Sequence, residues 1–126
     1  MNIECEISLG ELIDKLSILR IKLQKIEDPE KLAHVRKEES ALSTKLKTLQ
    51  LDGIDHHMQQ MIDVNLILWK IEDDIRDLER AGIFEEPFIQ LARQVYITND
   101  ERFRRKNTIN TLYKSGLVEV KSYKKY

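Results

Sequence analysis

Leu9, Leu12, Leu16, Leu19, Leu23 and Ile26 recur at alternating spacings of three and four, and no feature constrains the chain more. That rhythm is the apolar seam of a helix packed along its length against another helix. Ser8 and Glu11 precede it in the S-x-x-E order of a capping box, which sets the start of the helix. Ile13 widens the stripe, while Ile18 and Ile21 fall on roughly the opposite side. A helix apolar on more than one side has to be covered more than once. Ile18 and Ile21 are therefore the expected self-association residues.

Asp28-Pro29 closes this helix and opens the next, since aspartate caps and proline suits the first helical turn. Leu32, Val35, Leu42, Leu46 and Leu49 repeat the pattern, with Glu39 in a seam position. The short connection predicts an antiparallel hairpin over 8–51. Asp52-Gly53 is a stop, and Asp55 is the expected cap of a third helix over 55–81. Its stripe is Met61, Val64, Leu68, Ile71, Ile75 and Leu78. Over 85–116 two shorter helices are expected, the first opening at Glu85-Glu86-Pro87 and the second capped by Asn99 or Asp100. Ile3, Cys5 and Ile7, and later Val118 and Val120, alternate with polar residues, which suggests a short β pairing of the ends. Residues 117–126 form a basic, aromatic tail. The expected fold is all-α, one domain of 126 residues built as a helical bundle.

Charge is unevenly spread. Residues 52–86 hold ten acids and three bases, net −7, whereas 102–126 hold one acid and eight bases, net +7. Arg102, Arg104, Arg105, Lys106, Lys121, Lys124 and Lys125, with nearby tyrosines, make a patch that could attract phosphate and stack bases. No nucleic-acid motif accompanies it, and the acidic segment can neutralise it, so nucleic acid is not the favoured partner. No stretch approaches the ~20 apolar residues of a membrane span. A single cysteine, Cys5, flanked by Glu4 and Glu6, fits a reducing, cytoplasmic setting.

No phosphate loop, dinucleotide-binding glycine pattern, nucleophile elbow or zinc spacing is present, and neither a cofactor nor a metal is expected. The acids Glu72, Asp73, Asp74, Asp77 and Glu79 read as a solvated face, because the second carboxylate pair that a Mg²⁺ site on helices requires is missing. The most unusual surface lies beside the third stripe, within about 80° of it at ~100° per residue. There Asn65, Trp69, Glu72 and Arg76 align, with Arg93 or Asp100 able to join from later helices. Such a face is core, protein contact or ligand pocket.

Whole phrases resemble an uncharacterised family of small bacterial and phage proteins classed as a domain of unknown function. They are ISLGELIDKLSILRIKL, NLILWKIEDDIR, FIQLARQVYITNDERFRRKNTIN and VEVKSYKKY. The family has no assigned activity, so the resemblance implies no functional residue. A weaker likeness joins Leu9 to Leu16 with the first helix of all-α chorismate mutases, but the converging arginines and lysines of that enzyme cannot be placed on one face here. Three functions stay open. The preferred one is a non-enzymatic assembly module, a homo-oligomer with a dimer favoured and another protein as a further candidate partner. The others are a small enzyme or ligand-binding protein using the third helix, and a nucleic-acid binder.

Overall fold

A computed structural model describes all 126 residues. Four helices run in the order α1 (Leu9–Lys25), α2 (Pro29–Thr48), α3 (Ile54–Ala81) and α4 (Glu86–Leu112). The start signals act much as their chemistry dictates. Ser8 Oγ accepts from the Glu11 amide at 3.1 Å, and Asp28 Oδ1 accepts from the Glu30 amide at 2.9 Å. α3 starts one residue before Asp55, with Gly53 as its cap in the left-handed region at φ 76°. Gly82, at φ 70°, ends α3 with the Ile83 amide donating back to the Leu78 carbonyl at 2.9 Å.

Two expectations are corrected. The two short helices over 85–116 are one continuous α4, because Asn99 and Asp100 can cap a helix but carry no glycine or proline to stop one. Asp100 instead accepts a hydrogen bond from the Tyr123 hydroxyl at 2.5 Å. The ends form no strands: Ile3, Val118 and Val120 are exposed, and an isolated pair with nothing packed beneath it is marginal. Side chains hold the tail instead, through Glu119 to Lys106 at 2.5 Å and the Tyr96–Tyr126 ring contact.

α1 is the central helix, packed against each of the other three, whereas α2 touches α1 alone and buries no residue fully. Glu39 on α2, in its seam position, meets Arg20 of α1. Leu12, Ile13 and Leu16 of α1 join Met58, Met61 and Val64 of α3 and Ile109 of α4 in the apolar core. Ile21 is also fully buried. Of the surplus apolar perimeter of α1, Ile21 is thus covered within the chain, while Ile18 is half-buried. α3 and α4 outreach α1: at ~1.5 Å per residue they are about 40 Å long against about 25 Å. Between Glu72 and Ile97 no residue is fully buried. The far end of this hairpin exposes Ile83, Phe84 and Ile89.

α1 and α4 pack closely beside Gly10. A Cβ there would stand 2.6 Å from the Lys106 carbonyl oxygen and 2.9 Å from Asn110 Oδ1. The Gly10 amide also donates to Asn110 Oδ1 at 2.7 Å, so a side chain of α4 satisfies an orphan donor at the start of α1. Gly10→Ala is expected to force the helices apart and cost about 1–3 kcal/mol. Urea denaturation should show a lower midpoint with an unchanged slope; a wild-type midpoint would contradict the close packing.

Candidate functional site

Behind the leucine seam, α1 carries a second buried stripe at the same three-four spacing, made of Gly10, Asp14, Ser17 and Ile21. α4 answers it with Thr98, Arg102, Lys106 and Asn110, each four residues apart; all but the part-buried Arg102 are buried. The α1–α4 seam is therefore polar. Asp14, 1% exposed, sits at its centre. Arg102 grips it side-on, Nε to Oδ1 at 2.8 Å and Nη2 to Oδ2 at 2.5 Å. Asn65 of α3 donates through Nδ2 to Asp14 Oδ1 at 2.9 Å and to Ser17 Oγ at 2.7 Å. One carboxylate so ties three helices together, and a fork of two parallel N–H···O⁻ bonds is the strongest form such a tie takes.

Next along the seam, the buried Lys106 ammonium lies 2.9 Å from Glu11 and 2.5 Å from Glu119, with Asp14 at 3.8 Å. Burial alone would lower the Lys106 pKa; the hydrogen bonds to Glu119 and Glu11 outweigh it and hold it above 10.5. Glu119 is the mirror case. Burial would raise it, and the bonds from Lys106 and Lys121 bring it below its usual 4.5. For Arg102, the bonds to Asp14 outweigh burial and raise the guanidinium further above its ordinary value.

Above this network opens a cleft of about 330 Å³ between α1, α3 and α4. Ile18, Ile21 and Leu68 give it an apolar floor, and Asn65, Trp69, Glu72, Asp73, Arg76 and Arg102 supply the walls. Glu72 and Arg76 pair across one turn at 2.6 Å. Asn65, Trp69, Glu72 and Arg76 are thus brought together as the sequence suggested, joined by both self-association candidates, Ile18 and Ile21. Arg93 is exposed and Asp100 is engaged by the tail, and neither lines the cleft.

The basic candidates are dispersed in a different way from the one their charge suggests. Arg102 and Lys106 turn inward. Arg104 and Arg105 share Glu101 at 2.7 and 2.9 Å, and Lys121 meets Glu119 at 2.7 Å while lying over the Phe103 ring. Only Lys124 and Lys125 of that set have no ion pair. Their neutralising partners come from α1, α4 and the tail, whereas three acids of α3 pair within their own helix: Lys70 with Asp74, Arg76 with Glu72, Arg80 with Asp77. No three His, Cys, Asp or Glu side chains gather where a metal ion could be held.

Asp14, Ser17, Lys106 and Asn110 were not singled out as a buried set from sequence. Their signal is a polar stripe running at helical spacing inside an otherwise apolar helix, with a complementary i,i+4 stripe of opposite charge on α4. No helix is long and apolar enough to cross a membrane.

No curated protein and no solved structure matches the chain. A family model described as a family of unknown function, DUF6165, matches residues 3–126. With nearly the whole chain covered, leucine seam, polar network and tail included, the protein belongs to that family.

Proposed function

We propose that the chain is a small-ligand-binding protein whose site is the cleft over Asp14. The observation that carries this is the preorganisation of its polar wall. Arg102 and Asn65 are both fixed by the same buried carboxylate, and both line an open recess with an apolar floor. Ligand sites combine these elements: mostly apolar lining, a few convergent polar groups held rigidly, and a volume of roughly 300–1,000 Å³. A purely structural ion pair has no need of an open cleft on its donor side. Binding is therefore the function proposed.

Trp69 is the one tryptophan of the chain, so its fluorescence reports on the cleft directly. A screen of small fragments should yield compounds that both raise the melting temperature and change Trp69 emission. Ile18→Phe, which fills the floor, should weaken them by about tenfold, near 1.4 kcal/mol. Absence of such compounds, or binding indifferent to Ile18→Phe, would contradict the reading.

Assembly is a second reading, and what favours it is the protruding α3–α4 end with Ile83, Phe84 and Ile89 exposed, where Phe84 packs edge-on to Phe88. A homodimer formed through that end should appear by light scattering at high micromolar concentration and revert to a monomer on Phe84→Asp. A monomeric wild-type protein would rule it out.

A further inference from the structure

The charges around the cleft do not balance. Counting the residues that line it and the Asp14 carboxylate bound to one of them, three acids stand against two guanidinium groups, a net charge of −1. Asp14 is joined to Arg102, and Glu72 to Arg76. Asp73 is the remainder: it is exposed, lines the cleft and has no ion-pair partner. The bases nearest to it along α3, Lys70 and Arg76, are taken by Asp74 and Glu72. The whole α3 wall also belongs to the net −7 stretch over 52–86, whose field favours positive ligands.

Position adds an aromatic partner. Trp69 and Asp73 are four residues apart on α3, which places their Cβ atoms about 5–6 Å from each other, and both line the cleft. A positive head at Asp73 is therefore within reach of the indole, and cations are attracted to a tryptophan ring. Ile18, Ile21 and Leu68 supply the apolar floor beside them. An apolar body seated on that floor displaces water from around Asp73, and a carboxylate that loses hydration without gaining a partner costs free energy. A positive head supplies the partner. A neutral head does not, and an anionic head adds a second uncompensated charge, because neither guanidinium is free of a carboxylate.

Resting on the ligand-binding reading, we propose that the cleft takes a small organic monocation, an ammonium head on an apolar body. The head sits at Asp73 beside Trp69, and the body lies on Ile18 and Leu68. Protonated amines and quaternary ammonium compounds share this chemistry.

Titration calorimetry with the full chain tests it, using phenethylamine, phenethyl alcohol, phenylacetate and phenyltrimethylammonium as probes. Phenethylamine should bind about fivefold more tightly than its neutral isostere phenethyl alcohol, the scale of an exposed ion pair, and phenylacetate more weakly than either. Tighter binding of phenyltrimethylammonium than of phenethylamine assigns the source to quaternary compounds, and weaker binding assigns it to protonated amines. Asp73→Asn should remove the preference for amine over alcohol, whereas Asp77→Asn, which takes the same charge from a residue of α3 outside the cleft, should leave it in place. Amine binding should also weaken as salt rises, while alcohol binding stays constant. Equal affinity for amine and alcohol, preference for phenylacetate, or an amine preference that survives Asp73→Asn overturns the assignment. If neutral or anionic fragments bind in the cleft and cations do not, this assignment falls and the ligand-binding reading stands; if none binds, both fall.

Discussion

The Asp14 carboxylate is the group around which the bundle is arranged. Removing such a charge from water costs several kcal/mol unless partners replace the lost hydration. Here the replacement comes from Arg102 of α4 and Asn65 of α3 acting on a residue of α1. Apolar packing alone leaves helices free to rotate and slide by a residue or a turn. A fork of two N–H···O bonds onto one carboxylate does not, so Asp14 sets the register of three helices. The Gly10–Asn110 contact, one turn earlier, sets how closely two of them approach.

The same network makes the cleft. Arg102 and Asn65 would be mobile if they stood free in solvent; Asp14 anchors both in the cleft wall. The apolar floor arises from the second problem that α1 poses. Ile18 and Ile21 lie away from the leucine seam; Ile21 is buried, whereas Ile18 stays half-buried beside Asn65, Trp69, Glu72 and Arg76 of α3. Structural demand on one helix and polar composition on another leave a recess between them.

Much of the architecture was legible because it rests on local chemistry. Ser8, Asp28 with Pro29, and Gly82 mark helix ends through hydrogen bonds and backbone angles within a few residues, and the leucine stripe names its own buried face. The unbroken α4 was harder to foresee, since Asn99 and Asp100 suit a cap equally well when nothing nearby forces a stop. Of the cleft, the α3 wall was legible as an unusual face. The α1–α4 contribution was not, because Asp14 and Ser17 resemble ordinary exposed helix residues until a partner 88 positions away is known to be Arg102. The basic cluster misled for the same reason: charge in sequence does not say which way Arg102 and Lys106 turn.

A double-mutant cycle on Asp14→Leu and Arg102→Met, followed by urea denaturation, probes the central tie most directly. Asp14→Leu alone should leave Arg102 without its partner and cost about 3–5 kcal/mol. The double variant should recover part of that loss, with a coupling energy of about 1–3 kcal/mol. Losses that simply add, to within about 0.5 kcal/mol, would mean that Asp14 and Arg102 do not hold the helices together.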